Sequence, residues 1–254
     1  MYNIVAGPKR GGTSMLMLAL RQAGVPVLGY KNPIRLQREK KTPVDAGLLY
    51  PLDEKSDNNP YGFWEIPSIC EKYGLRKIHK DVGFEGDVVK VMSSILPLSD
   101  PEMVSKAIVT MRDPRKIISS REKCDKEMGD EFRNISYIML IHNTVLTMRW
   151  LEAHEKPYYM VTYEEMLDNP KKHMKRICRL FRKGSYKIGA EVITSELDRS
   201  PRNEKDSPEA KQADEFYELF KNKDKNKILL YDINKIEDRI KKLNTGVFDQ
   251  NKRK

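Results

Sequence analysis

Residues 7 to 14 read Gly-Pro-Lys-Arg-Gly-Gly-Thr-Ser, which is the skeleton of a phosphate-binding loop of the form G-x-x-x-x-G-K-S/T with Thr13 at the nucleotide-gripping lysine. The run Tyr2-Asn3-Ile4-Val5-Ala6 before it is apolar and β-prone, and Thr13 to Gln22 after it reads as a helix. A strand that enters a helix through glycines is the setting in which such a loop holds an anion. The backbone N–H groups of Gly11, Gly12, Thr13 and Ser14 are expected to point into the concavity, and the helix N-terminus adds roughly half a positive charge. What is absent is the lysine that reaches the β- or γ-phosphate in users of ATP and GTP. The plainer alternative is a glycine-rich turn that binds nothing.

A second element follows about a hundred residues later. The β-rich run Lys106-Ala107-Ile108-Val109-Thr110-Met111 delivers Arg112-Asp113-Pro114-Arg115 to its end, and Lys116 to Glu127 then reads as a helix. An ATPase would offer a magnesium-binding carboxylate as the first polar residue there. Here that residue is an arginine. Asp113 remains available for a metal role, while Arg112, Arg115, Ser119 and Ser120 form a set suited to an anion, because arginine grips phosphate in a bidentate manner. A solvated arginine at a strand exit is the structural alternative.

These two elements resemble the sulfotransferase family that uses 3′-phosphoadenosine 5′-phosphosulfate (PAPS). The stretch Ile4 to Met17 is similar to the bacterial 5′-phosphosulfate loop, commonly Pro-Arg-Ser-Gly-Thr-Ser, and an ungapped alignment puts Arg10 at its basic position, Lys9 at the proline and Gly11 at the first serine. Arg112 and Ser120 have the spacing of the family's 3′-phosphate ligands. Asn59-Pro-Tyr-Gly-Phe-Trp-Glu65 resembles its Asn-Pro-x-Gly-Tyr-Tyr-Glu, Val89-Lys90-Val91 with Leu96-Pro97 its second strand, and Val161 to Pro170 its Tyr-Glu-Asp-Leu-x-x-Asn-Pro segment. The likeness spans about residues 2 to 182, with a weaker echo at Arg199-Ser-Pro-Arg202.

The resemblance implies an α/β fold of the P-loop NTPase-like kind: a central parallel sheet flanked by helices on both faces, with strands near 2–6, 88–92, 107–111 and 158–162. It implies a sulfotransferase core over 1–183 and a helical C-terminal extension over 184–254 in the same domain. PAPS is the implied co-substrate, with no metal. Arg10 would stabilise charge on the leaving 5′-phosphate, Gly11, Gly12, Thr13 and Ser14 would hold that phosphate, and Arg112 and Ser120 would take the 3′-phosphate. Arg199 and Arg202 lie in a polar loop that either folds over the nucleotide or stays solvated. Lys90 falls at the lysine of the family's Lys-x-His strand, with Met92 at its histidine. The general base is left between Glu65, the preferred candidate because neighbouring aromatics would raise its pKa, and His79.

Composition sets the remaining bounds. A chain of 254 residues can bury a full core as one unit, about 70–75% of its unfolded surface. The N-terminus lacks a basic stretch followed by an apolar one, and no apolar run approaches the length of a membrane span, so neither signal peptide nor anchor is expected. Cys70, Cys124 and Cys178 are odd in number and far apart, which argues against zinc or a disulfide framework and fits the reducing cytoplasm. The net charge of +10 admits a polyanion partner, but Lys and Arg are spread along the chain, so nucleic acid is not expected. The alternatives carried forward are a small-molecule or nucleotide kinase with a degenerate loop and a non-catalytic polyanion-binding protein. The acceptor, whether sugar, glycan, lipid headgroup or phenol, is not encoded in any motif.

Elsewhere the sequence supplies scaffold. Ile135 to Leu146 is apolar on nearly every face and reads as a buried helix, with His142 a satisfied core residue. Asn169 caps a helix that begins at Pro170 and turns Met174, Ile177, Cys178 and Phe181 inward. Asp214 to Lys221 and Leu229 to Leu243 read as further helices.

Overall fold

The computed structural model describes residues 1–28, 74 and 75, 88–123, 128–194 and 200–251. Within them five apolar runs pair as one all-parallel sheet: β1 Tyr2–Gly7, β2 Val27–Leu28, β3 Val88–Met92, β4 Val104–Met111 and β5 Tyr158–Thr162, in the order β2-β3-β1-β4-β5. The chain is therefore an α/β protein. Four of these strands lie where the sequence places them. β2 was not anticipated, because a two-residue strand held only by pairing with Val88 and Val89 carries no periodic signal.

The register explains where chemistry can gather. Val5 lies beside Lys90 on one side and Ile108 on the other, and Gly7 lies opposite Met92. The C-terminal ends of β3, β1 and β4 therefore stand side by side, and such ends are where ligands bind in open parallel sheets.

Alternation along the strands sorts side chains between two cores. Ile4, Ala6, Val89, Val91, Ala107, Val109 and Met111 point to one face, against Ile117, Ile118, Tyr137, Ile141, Val145, Phe216 and Phe220. Val5, Val88, Ile108 and Val161 point to the other, against Leu16, Leu20, Met166, Met174, Ile177 and Phe181. Because both faces are covered, the strands read as nearly unbroken apolar runs rather than alternating ones.

The helices are α1 Thr13–Gln22, α2 Pro114–Glu122, α3 Asp130–Ala153, α4 Tyr163–Asp168, α5 Pro170–Phe181, α6 Tyr186–Glu191, α7 Pro208–Lys221, α8 Lys225–Leu229 and α9 Ile233–Asn251. Caps set several of the boundaries. Asp113 Oδ1 accepts from the Arg115 amide at 2.8 Å, so α2 begins at Pro114, two residues before the sequence reading. Asn169 Oδ1 accepts from the Lys172 amide at 3.2 Å with Pro170 at the first position of α5, as expected. Ser207 caps α7 by accepting from the Ala210 amide at 3.1 Å, which starts that helix earlier than the apolar pattern indicated.

Ala210, Ala213, Phe216 and Phe220 of α7 are fully buried, and each phenylalanine contributes roughly 1.5–3 kcal/mol by leaving water. Residues beyond 184 thus share the core of the sheet. His142 is half-buried at the seam between α3 and α9, its Nε2 3.3 Å from Glu237 Oε1. Cys178 is a buried free thiol; Cys70 and Cys124 lie outside the described residues. Among those residues no helix is long and apolar enough to cross a membrane.

Candidate functional site

The loop after β1 is shaped by close approaches that only glycine permits. A Cβ on Gly7 would meet Thr110 Oγ1 at 2.3 Å and Thr13 Cγ2 at 2.8 Å, and one on Gly12 would meet Tyr163 Cδ2 at 2.4 Å. Gly12 is the N-cap of α1 with φ 87°, and among the described residues no side chain caps that helix. Arg10 also has a positive φ, 72°, a left-handed conformation that costs a non-glycine residue about 1–2 kcal/mol. One expected ligand is corrected: the Gly11 amide donates to Pro8 O at 2.9 Å and so closes the turn instead of facing an anion. The helix start itself presents the amides of Thr13 and Ser14, which no intrahelical carbonyl can reach.

Each strand beside β1 brings a cation to this loop. Lys90, on β3, is 3% exposed, and its Nζ donates to Ser14 Oγ at 3.2 Å. Arg112 follows the last residue of β4, is 6% exposed, and sets its Cζ 4.7 Å from the centroid of the Tyr163 ring. Tyr163 therefore joins Arg112 to the loop, since the same ring fills the space beside Gly12. Ser120 is half-buried on α2, eight residues after Arg112.

Tyr163 was not singled out from sequence. Its placement comes from the capping box that opens α4: Thr162 Oγ1 accepts from the Glu165 amide at 3.1 Å, while Glu165 Oε2 accepts from the Thr162 amide at 2.7 Å. The T-x-x-E pattern was the available signal. Glu164 was missed as well. Burial pushes its carboxyl up, opposed by a 2.5 Å hydrogen bond from Tyr217 Oη, by the Asp113 amide and by the charge of Arg112.

Other basic residues near the strand exit have structural work. Arg115 is 5% exposed; its Nε and Nη2 reach Asp214 at 2.8 Å and Asp206 at 2.7 Å, and its Nη1 donates to the carbonyls of Asn203 and Lys205. The anion set read from sequence therefore loses Arg115, whose acidic partners arrive from a distant segment. Asp113 caps α2 and pairs with Arg202 at 3.1 Å, and Arg202 also reaches Asp214 at 3.1 Å. The loop bearing Arg202 is thus tied across the start of α2, next to Arg112. Glu65, His79 and Arg199 lie outside the described residues.

A separate cavity of about 530 Å³ lies against Tyr158, Tyr159 and Met160 at the outer edge of the sheet, lined also by Arg176, Lys223 and Lys225. Two of its lysines are paired, Lys225 with Glu152 at 2.6 Å and Lys223 with Glu165 at 2.5 Å. The loop gathers cations around backbone donors, which is the chemistry of a phosphate or sulfate site. No known protein-family model matches the chain, and no curated protein sequence matches it.

Proposed function

We propose that the chain is a sulfotransferase that moves a sulfuryl group from PAPS to an acceptor hydroxyl or amine, on an α/β scaffold of the P-loop NTPase-like kind. The observation that carries the reading is the convergence of Arg10, Lys90 and Arg112, from β1's loop and from the strands on either side of β1, around a loop with Thr13 at its lysine position. Thr13 and Ser14 hold the 5′-phosphate, Arg10 and Lys90 stabilise the charge that grows on it, and Arg112 with Ser120 takes the 3′-phosphate. In the reaction the bond from sulfur to the 5′-phosphate oxygen breaks as the bond from sulfur to the acceptor forms. The acceptor proton passes to a base, for which the sequence offers Glu65 and His79, and adenosine 3′,5′-bisphosphate leaves. Catalysis on this reading is mainly positioning and electrostatics, by analogy with phosphoryl transfer. The cytoplasm, where PAPS and reduced thiols coexist, is the proposed location.

A kinase is the second reading, favoured by one contact: the Lys90 ammonium at Ser14 stands near where a loop lysine would act. Thermal melting separates the two. Adenosine 3′,5′-bisphosphate at about a hundred times its dissociation constant stabilises the native state by about 2.7 kcal/mol, and is expected to raise the melting temperature well above any rise with ATP and magnesium. An equal or larger rise with ATP and magnesium would transfer the assignment to a kinase. No rise with either nucleotide, alongside salt-sensitive heparin binding, would favour the polyanion binder.

A further inference from the structure

β5 is the last strand in the sheet order, so one of its edges pairs with β4 and the other pairs with no described strand. The register decides which main-chain groups are left on that open edge. The Ala107 amide donates to Pro157 O at 2.9 Å, with Ala107 opposite Tyr158 and Val109 opposite Met160. In a parallel ladder with this register, the N–H and C=O groups of Tyr159 and Val161 turn towards β4, and those of Tyr158 and Met160 turn outward. Among the described residues these outward groups have no hydrogen-bond partner. Two residues further on, the edge closes, because the Thr162 amide donates to Glu165 Oε2 at 2.7 Å. Met160 is only 7% exposed, and buried main-chain groups are paired in about nine cases in ten or more.

The cavity of about 530 Å³ runs along this edge, against every residue from Glu155 to Met160. Successive strand residues face opposite sides of the sheet, and each side here has a tyrosine with a cation above its ring: Arg176 Cζ is 5.9 Å from the Tyr159 centroid, and Lys225 Nζ is 5.3 Å from that of Tyr158. The lining carries four cations, Lys156, Arg176, Lys223 and Lys225, against the carboxylates of Glu152 and Glu155. Lys225 and Lys223 are tied to Glu152 and Glu165, whereas Lys156 and Arg176 form no ion pair with any described residue. Charged side chains, lysine above all, commonly keep stray strands from such an edge. Positive charge around an open edge repels by sign, and it attracts a strand that brings carboxylates.

We infer that the β5 edge is a docking groove for an acidic segment of a partner protein, which lies extended along Tyr158 to Met160 as an added strand. Its main chain exchanges hydrogen bonds with Tyr158 and Met160, whose spacing of two residues is the period of a strand, and its carboxylates meet Arg176 and Lys156. Main-chain pairing supplies the affinity and the sign of the charge selects the partner. A small anion would leave the outward amides and carbonyls unpaired, and a nucleic acid or glycan has no peptide ladder to offer them. The groove is separate from the loop after β1, so the inference does not depend on the sulfotransferase reading.

The test titrates the full chain with terminally blocked peptides: Thr-Glu-Glu-Val-Glu-Glu-Thr, the same sequence with lysine for glutamate, and the glutamate sequence N-methylated at every internal amide. The glutamate peptide is expected to bind about tenfold or more tightly than either control, the equivalent of one charge-assisted hydrogen bond. Its binding should slow amide hydrogen exchange at Tyr158 and Met160 by about tenfold or more, with no change at Tyr159 and Val161, which already bond to β4. Arg176→Ala and Lys156→Ala should each weaken it about two- to fivefold, as for a partly exposed ion pair. Arg179→Ala, an exposed position of α5 that does not line the groove, should bind as wild type does. No binding of the glutamate peptide, undiminished binding of its N-methylated form, or equal losses in Arg176→Ala and Arg179→Ala would overturn the inference. Displacement of the peptide by heparin or inorganic phosphate, with exchange at Tyr158 and Met160 unaffected by the peptide, would assign the cations to a different anion and overturn it as well. Dimerisation that protects the same two amides without peptide would give the edge to a second copy of the chain, with the same consequence. None of these outcomes bears on the donor reading.

Discussion

At the scale of single residues, the site depends on atoms that are missing as much as on those present. Gly12 combines a φ of 87° with a neighbouring ring carbon 2.4 Å from where a Cβ would stand, so alanine there meets both backbone strain and the Tyr163 ring that supports Arg112. Gly12→Ala is expected to cost on the order of 1–3 kcal/mol of stability and to displace Tyr163, weakening bisphosphate binding more than tenfold; melting curves and titration check the pair of effects. Gly24 is the control: it also has positive φ, 81°, but nothing lies within 4 Å of its Cβ position. Gly24→Ala should therefore lose stability through strain alone and bind normally. Equal binding losses in the two variants would show that Tyr163 is not the support for Arg112. The glycines of the loop were legible in the sequence because the motif demands them. Tyr163 was legible only as the tyrosine of the Val161 to Pro170 resemblance, without a role, since its contact with Gly12 joins segments that no local pattern relates.

At the scale of elements, the 200–206 loop is fastened to α2 through one buried guanidinium. Arg115 accounts for two ion pairs and two carbonyl contacts, and the Asn203 amide side chain adds a 2.7 Å bond to Glu122 Oε2. Hydrogen bonds from Arg115 and then Lys211 hold the Asp206 carboxyl below its usual range. The sign follows directly: a carboxyl depressed on folding contributes stability that is present above its unfolded value of about 3.9 and is lost as pH falls through the lower folded value. Arg115→Met is thus expected to melt on the order of 5 °C below wild type at neutral pH, with the gap narrowing as the pH drops below about 4. A gap that stayed constant on acidification would show that Arg115 acts by packing and not through its aspartates. Sequence reading assigned Arg115 to the anion because an arginine after a strand looks the same whether its partner is a ligand or a carboxylate 99 positions away.

At the scale of the whole molecule, the sheet order brings three successive strand ends to one place, and this is what turns scattered residues into a site. The apolar runs made β1, β3, β4 and β5 legible, and the strand–loop–helix order made the loop legible. Lys90 was legible through the resemblance of its strand, but its contact with Ser14 needed the register, in which Val5 lies between Lys90 and Ile108. The central claim is that the strand ends hold two separate phosphates, one at the loop and one at Arg112 and Ser120, and calorimetric titration of adenosine 3′,5′-bisphosphate against adenosine 5′-phosphate tests it most directly. A charge-assisted hydrogen bond contributes roughly 1.5–3 kcal/mol, so the bisphosphate is predicted to bind about 10- to 100-fold more tightly, with the preference collapsing in Arg112→Ala and Ser120→Ala while adenosine 5′-phosphate binding is retained. Equal affinity of the wild-type protein for the two nucleotides, or a preference that survives both substitutions, would contradict it.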